Sequence, residues 1–234
     1  MTNPITLPTF DYAQRLPGRF QFPARMTVLP LPNAKLALVS PIPIDEALAD
    51  QLRGLGEVTF LIAPNLMHHL YLGAASERYL SAQVLAPRRL KAKRPDLRID
   101  AELEDGLPPA LREVVDAVKF DGAPVLDEFV FYHRSARSLV VTDLVFNITQ
   151  PRGLLANLVL LLSGCHGRLG QSRAMRFMVK DAGAARVSAL RILDFGFETL
   201  VMAHGDIVRE GAQAGLAQAL KWLLPERRAL PAPH

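Results

Sequence analysis

The stretch VTFLIAPNLMHH, residues 58–69, places an almost wholly apolar run directly before a proline and a pair of histidines. A run without polar alternation is typical of a central strand that is covered on both faces. Pro64 cannot continue such a strand, so the polar side chains that follow lie at its carboxyl end. In α/β folds this edge of the sheet is where ligands and reactive groups lie.

Two later runs end in the same way. SLVVT, residues 138–142, is followed by Asp143, and TLVMA, residues 199–203, is followed by His204. Each run therefore predicts a buried strand with a side chain at its carboxyl end that can bind metal or transfer a proton.

His68, His69, Asp143 and His204 together form one candidate site. Three imidazoles and a carboxylate suit zinc, iron or manganese, whereas calcium and magnesium prefer sites built from oxygen ligands. The alternative is purely structural: Asp143 caps a turn, His204 lies in a turn beside Gly205, and the two histidines pack at the start of a helix. The spacing of the residues leaves both interpretations open.

The remaining pattern mixes strands and helices. Two β-like runs at 26–30 and 35–40, separated by Pro32 and Asn33, predict an antiparallel hairpin, and Asp45 is the expected N-cap of the helix after it. Further strands are predicted at 82–87 and 129–133, and further helices at 69–79, 154–163, 172–179, 181–193 and 210–224.

Two sheet-forming blocks, each followed by helices, predict an α/β protein. Its sheets form either a two-sheet sandwich with helices outside or one doubly wound sheet. Residues 1–25 are dotted with prolines and are expected to form an N-terminal arm, with residues 26–234 as a single domain.

The composition predicts a soluble, cytoplasmic protein with a sizeable core. Of the 234 residues 50% are hydrophobic, and the single cysteine, Cys165, excludes an intrachain disulfide and a multi-cysteine zinc site. A net charge of +4 is too small to indicate nucleic acid as a partner. The basic segment 88–98 contains no aromatic residues and precedes an acidic segment, 100–105, so we expect a solvated loop whose charges neutralise each other.

The longest apolar run, residues 154–162, is far shorter than the ~20 residues that cross a bilayer. We expect this helix to pack in the core or against a second copy in a homodimer, and otherwise to act as a lid over a substrate. No membrane attachment is expected, because nothing basic and amphipathic flanks the run.

Several segments resemble the metallo-β-lactamase-like superfamily, and within it a branch of uncharacterised proteins. The resemblance runs from about Thr27 to Leu224 and implies an αββα sandwich, in which two mixed sheets carry helices on their outer faces. The segments are SPIPID (40–45), APNLMHHLYLG (63–73), KRPDLR (93–98), FYHRSARSLVVTDLVFN (131–147) and MAHGDIV (202–208).

The first metal motif of the superfamily has the form T-H-x-H-x-D-H, and residues 63–69 have the same length. Pro64 and Leu66 fall where its first two histidines belong, His68 falls where its aspartate belongs, and only His69 keeps the family residue. Because proline and leucine side chains cannot bind metal, the first of the two metal positions is expected to be lost.

Asp143 matches the bridging aspartate of the family, and His204, in an Ala-His-Gly turn, matches its terminal histidine. The resemblance therefore implies a metal-dependent hydrolase of a small molecule, with one divalent ion held by His68, His69, Asp143 and His204. Zinc is expected before iron or manganese. Asp143 or His68 would orient the activated water or accept its proton. The competing hypothesis is a metal-free, inactive member of the fold that acts as a binding or scaffolding protein.

Two further residues are candidates for supporting roles. Asn65 is expected either to hydrogen-bond a ligand or substrate, or to cap the helix that follows it. His133 is expected either to support the metal ligands, or to pair with Asp127, Glu128 or a backbone group.

Overall fold

The computed structural model describes residues 6–16, 20–149, 161 and 164–224, which form ten strands and seven α-helices. The strands are β1 (Thr9–Leu16), β2 (Phe20–Leu31), β3 (Lys35–Val39), β4 (Glu57–Ile62), β5 (Gln83–Ala86), β6 (Ala101–Glu102), β7 (Val115–Lys119), β8 (Phe129–His133), β9 (Ser138–Val141) and β10 (Thr199–Met202). The helices are α1 (Glu46–Leu55), α2 (Leu72–Arg78), α3 (Arg88–Lys93), α4 (Pro109–Arg112), α5 (Arg173–Met178), α6 (Ala182–Leu193) and α7 (Ala212–Ala219).

The first sheet contains β1 to β6 in chain order. β2 and β3 are antiparallel, which confirms the predicted hairpin, and β3 to β6 run parallel to one another. Residues 9–16, which were expected to belong to an arm, form the edge strand of this sheet and pair with β2. An edge strand needs partners on one side only, so the prolines near it are tolerated.

The second sheet has the order β10-β9-β8-β7. β8 and β9 form a hairpin in which His133 lies opposite Ser138, joined by a turn at residues 134–137. β10 lies parallel to β9, with Met202 opposite Val141. Both sheets are therefore mixed.

Three apolar layers hold the two sheets and their helices together. The middle layer lies between the sheets and includes Phe60 and Phe131. The outer face of the first sheet packs against α1, α2 and α3, through side chains such as Leu52. The outer face of the second sheet packs against α6 and α7, through side chains such as Ile192 and Leu216. This confirms the predicted αββα sandwich and excludes the single doubly wound sheet.

The helices begin where their capping residues predict. Asp45, Ser172 and Asp181 each accept a hydrogen bond from the backbone N–H three residues further on, at the starts of α1, α5 and α6. The final helix, predicted over 210–224, is shorter because α7 ends at Ala219. The helix predicted at 154–163, with its core, dimer or lid roles, lies outside the described residues except for the exposed Leu161.

The basic segment is in part a helix rather than the expected loop, since α3 spans Arg88–Lys93. Its charges are neutralised by the acidic segment only in part. Arg88 pairs with Asp105 at 2.8 Å, Arg98 pairs with Asp100 at 3.3 Å, and Arg94 pairs with Asp96 at 2.6 Å. Within the described part of the chain, no helix has the length and apolar character needed to cross a membrane.

The two sheets bring four strand ends to one edge of the sandwich. β3 and β4 of the first sheet are parallel neighbours, and so are β9 and β10 of the second sheet. The loops that follow these four strands begin at Ser40, Ala63, Thr142 and Ala203. The predicted site therefore lies at an edge to which both sheets contribute strand ends.

Candidate metal centre

Three of the four predicted ligands meet at this edge. Nε2 of His68 lies 3.3 Å from Oδ2 of Asp143 and 3.1 Å from Nε2 of His204, and Nε2 of His204 lies 3.2 Å from Oδ1 of Asp143. The two imidazole nitrogens thus face each other, and each of them faces a different oxygen of the Asp143 carboxylate. We call these residues the His-Asp-His triad.

The triad is sheltered from solvent by the loops that carry it. The side chains of His68, Asp143 and His204 are 10%, 11% and 8% exposed. In the described part of the chain, the triad is the cluster of His, Cys, Asp or Glu side chains whose ligand atoms lie close enough together to hold one metal ion.

Asn65 shapes the loop that carries His68. Its side-chain oxygen accepts hydrogen bonds from the backbone N–H groups of Met67 and His68, both at 2.8 Å. Its side-chain NH₂ donates to Oδ2 of Asp143 at 2.8 Å and to the hydroxyl of Thr142 at 3.0 Å. The fully buried amide thus closes the turn at residues 65–68 and joins it to the Asp143 loop. It does not cap the following helix, which begins only at Leu72.

The outer nitrogen of each triad histidine is held by another group. Nδ1 of His68 lies 2.6 Å from the hydroxyl of Ser40, a buried residue in left-handed conformation with a φ of 56°. Nδ1 of His204 lies 2.6 Å from the carbonyl oxygen of Pro23. Since a carbonyl oxygen can only accept, Nδ1 of His204 carries the proton. Its Nε2 then presents a lone pair to the other two ligand atoms.

Strand β2 fixes the loop that carries His204. Arg25 donates from Nη1 to the carbonyl oxygens of Met202, at 3.0 Å, and Gly205, at 2.5 Å, on either side of the histidine. Gly205 has a φ of 105°, and a Cβ there would lie 2.2 Å from the carbonyl oxygen of Asn147. This turn therefore requires glycine.

Two phenylalanines contact the ring of His204. Phe146 stacks on it, with ring centroids 5.4 Å apart and an angle of 9° between the planes, and Phe22 lies at 4.6 Å. Together with the hydrogen bond from Nδ1, these contacts fix the ring orientation before any ligand binds.

Glu128 is a functional residue that the sequence analysis did not place at the site. Its side chain is fully buried and accepts from the backbone N–H groups of Thr142 and Asp143, at 2.7 and 2.9 Å. Burial and the nearby charge of Asp143 raise the pKa of Glu128 to about 7. A second carboxyl group thus lies directly behind the triad and holds the Asp143 loop in place.

The charges of the triad are coupled. Burial alone would raise the pKa of Asp143, but His68 and His204 hold it well below its usual range. Burial alone would lower the pKa of His68, but the charges of Asp143 and Glu128 raise it. At neutral pH Asp143 is therefore an anion that attracts positive charge to the triad.

His69 and His133 lie elsewhere. Nδ1 of His69 lies 3.0 Å from a guanidinium nitrogen of Arg94, and the ring is not part of the triad. The structure therefore does not bring His69 to the other three predicted ligands. His133 donates to the carbonyl oxygen of Pro30 and accepts from the N–H of Ala136, so it supports no ligand and takes the predicted backbone-bonding role instead.

The positions of the two lost family histidines are occupied by structural residues. The carbonyl oxygen of Pro64 accepts from the N–H of Phe129 at 2.8 Å, and the N–H of Leu66 donates to the carbonyl oxygen of Leu126 at 3.0 Å. The buried Leu66 side chain packs in the outer core of the first sheet. These bonds join the loop after β4 to the start of β8 and the residues before it.

A cavity of about 350 Å³ opens above the triad, and His68, Asp143 and His204 form its polar floor. Cavities of this size are typical of sites that bind small molecules. The arrangement therefore provides a cation site and a space for a ligand next to it.

Comparisons with solved structures identify the fold. The chain is similar to a metallo-β-lactamase from Pseudomonas aeruginosa in its mono-zinc form, with a TM-score of 0.62 and 12% identity over 95% of this chain and 98% of the other. It is also similar to metallo-β-lactamases from Pontibacter korlensis (TM-score 0.61, 13% identity, 95% and 96% covered) and Hirschia baltica (TM-score 0.56, 9% identity, 96% and 100% covered).

No protein-family model and no curated protein matches the chain. At these identities the structural likeness establishes the fold and leaves the predicted membership of a particular branch as a prediction. The chain has the metallo-β-lactamase fold over nearly its whole length, with the His-Asp-His triad at the edge formed by both sheets.

Proposed function

We propose that this protein is a metal-dependent hydrolase in which one divalent ion is held by His68, Asp143 and His204. The observation that carries the proposal is the convergence of their three ligand atoms. The lone pair of His204 Nε2 faces a carboxylate oxygen at 3.2 Å and another imidazole nitrogen at 3.1 Å. A divalent cation placed among these atoms would be bound by all three side chains at once.

The geometry and the donor set both fit zinc. Ligands 2.0–2.1 Å from a tetrahedral ion lie about 3.4 Å from one another. The two Nε2 atoms lie 3.1 Å apart, and each lies 3.2–3.3 Å from one oxygen of the Asp143 carboxylate. Two imidazoles and one carboxylate are also ligands that zinc prefers, with iron and manganese as the next candidates. The outer nitrogens bonded to Ser40 and Pro23 add the support that metal-bound histidines have in proteins.

The other metal position of the fold has no ligands at Pro64 and Leu66, which is why we propose one ion rather than two. When bound, such an ion lowers the pKa of a coordinated water to about 7 and polarises a carbonyl oxygen. The protein's own groups orient the reaction. Asp143 stays ionised and can accept a hydrogen bond from the attacking water, and Asn65 holds the carboxylate in place.

The competing hypothesis, a metal-free binding protein, is less well supported. It gives no reason for three buried ligand atoms to converge beneath a cavity, or for Arg25, Asn65 and Glu128 to fix the loops that carry them. Burying several ionisable side chains next to one another costs desolvation energy, so an abandoned site is expected to lose such an arrangement.

Metal analysis by plasma mass spectrometry on untagged protein, purified without a chelator, tests the proposal. We expect about one equivalent of zinc, iron or manganese per chain. His204→Ala should reduce this to less than about a tenth of an equivalent, because two ligands hold an ion far less tightly than three. Two matched histidine variants serve as controls. His69→Ala, outside the triad, and His166→Ala, at an exposed position, should both keep the wild-type content.

Near-zero metal in the wild-type protein, persisting after incubation with each of the three ions, would refute the hydrolase and favour the metal-free binding protein. Loss of metal in His69→Ala would instead show that the ligand set is wrong.

A further inference from the structure

The walls of the cavity above the triad indicate what the substrate is made of. Above its polar floor, the cavity is lined mainly by apolar side chains from β2, the loops after β3, β4 and β9, and helix α5. They include Phe22, Ile42, Met67, Phe146, Met175 and Met178.

No lysine or arginine lines this cavity among the described residues. Arg25 is directed to the carbonyl groups beside His204, and Arg94 to Asp96 and His69. A carboxylate or phosphate on the substrate would lose its hydration against these walls without gaining a cationic partner. The walls therefore select against an anionic substrate.

The polar groups on the walls are few and uncharged. Gln14, Ser40 and Ser172 line the cavity. The side-chain oxygen of Gln14 accepts from the hydroxyl of Tyr71 at 2.6 Å, and Ser40 bonds to His68. Ser172 accepts from the N–H of Met175 as the cap of α5. These groups are engaged within the protein, so most of the binding surface left to a ligand is apolar.

Three methionines give this surface an adaptable shape. Met67, Met175 and Met178 come from two separate segments and line the same space. Unbranched thioether side chains adjust to irregular apolar groups better than branched ones do. A flexible alkyl chain or a small ring is a better match to such walls than a rigid polar ligand.

Resting on the proposed hydrolase function, we propose that the substrate is an uncharged ester whose apolar acyl group lies in this cavity against Phe22, Phe146 and Met175. In the reaction, the oxygen of water bonds to the ester carbonyl carbon and the bond from that carbon to the alcohol oxygen breaks. One proton of the water goes to the leaving alcohol and the other to solvent, and a carboxylate remains.

A binding experiment tests the cavity independently of turnover. Ligand-detected NMR titrations of the purified protein with 2-butanone, 2-hexanone and 2-octanone measure affinity for neutral carbonyl compounds of increasing length. We expect the affinity to rise about fourfold with each added methylene, as for burial of an alkyl chain. Affinity that does not change with chain length would overturn the proposal.

A turnover experiment on zinc-supplemented protein compares p-nitrophenyl octanoate with the p-nitrophenyl monoester of suberic acid, which carries a carboxylate at the far end of a similar chain. We expect kcat/KM to be about a hundredfold higher for the neutral ester, since the far carboxylate would be buried without a partner. Equal rates for the two esters would overturn the proposal.

Two neighbouring residues of α5 provide a matched pair of variants. Met178 lines the cavity, whereas Phe177 is 79% exposed and does not. Met178→Lys adds a cation to the wall and should reduce the preference for the neutral ester by about tenfold or more. Phe177→Lys should leave the preference unchanged, and an equal effect of both variants would overturn the assignment of the wall.

The two arms separate this inference from the function on which it rests. If ketones bind with the expected chain-length dependence but neither ester is hydrolysed with zinc added, the apolar specificity of the cavity is supported and the hydrolase is refuted. If the charged ester is hydrolysed and ketones do not bind, the hydrolase is supported and the substrate class is refuted.

Discussion

Replacing Asn65 with alanine should weaken both the fold and the metal site. The wild-type side chain is fully buried and links two of the loops that carry ligands. It accepts from the N–H groups of Met67 and His68 and donates to Asp143 and Thr142, all at 2.8–3.0 Å. Alanine removes every one of these bonds and leaves both N–H groups without this acceptor.

The size of the effect follows from these contacts. The two lost bonds to backbone N–H groups contribute about 1 kcal/mol each, and the bond to the ionised Asp143 about 1.5–3 kcal/mol. The free energy of unfolding should therefore fall by about 3–5 kcal/mol. For a chain of this length that corresponds to a decrease in Tm of roughly 6–20 °C. Metal affinity should fall by about 10- to 100-fold, as is usual when a residue supporting a ligand is removed.

Urea unfolding of the metal-free proteins measures the first effect, and competition with a zinc chelator measures the second. Asn33→Ala is the matched control, because Asn33 lies in a turn at the far end of β2 with a φ of 59°. It should cost no more than about 1–2 kcal/mol, the penalty for a left-handed residue, and leave metal affinity unchanged. An unfolding free energy for Asn65→Ala within about 1 kcal/mol of wild type would refute this account of the loop.

Two further predictions concern Gly205 and His133. Gly205→Ala places a Cβ 2.2 Å from the carbonyl oxygen of Asn147. Differential scanning calorimetry should therefore show a strongly lowered Tm or no folded protein. A Tm close to that of the wild-type protein would contradict the tight turn. Burial lowers the pKa of His133 in the folded protein, so below its ordinary pKa of about 6.5 the unfolded chain binds more protons and stability falls as pH decreases. The stability difference between wild type and His133→Gln should therefore shift in favour of the variant between pH 7 and pH 5, measured by urea unfolding. A difference that is independent of pH would contradict the neutral state of His133.

Elements with strong local signals could be predicted from the sequence. The starts of α1, α5 and α6 depend on one side chain that accepts a nearby backbone N–H, and such a signal does not depend on the rest of the fold. The central strands are apolar at nearly every position, because a strand that is covered on both faces buries all of its side chains. The edge strands β1 and β7 were not predicted, because pairing with β2 and β8 rather than their own residue composition makes them extended.

The choice between His68 and His69 could not be made from the sequence. The two are adjacent and chemically identical, and the family pattern favours His69. The backbone after Pro64 is an irregular turn whose shape depends on Asn65 accepting two N–H groups. That turn directs His68 to Asp143 and places the ring of His69 beside Arg94.

The role of Glu128, by contrast, could have been predicted from the register of one hairpin. The turn at 134–137 sets His133 opposite Ser138, and counting back along the two strands sets Glu128 opposite Asp143. Burial first, and then repulsion from the carboxylate of Asp143, raise the pKa of Glu128 at this end of the hairpin. The arrangement becomes favourable when positive charge lies in front of Asp143. Local register therefore places two buried carboxyl groups at the edge where we propose that a metal ion binds, independently of the resemblance to the family motif.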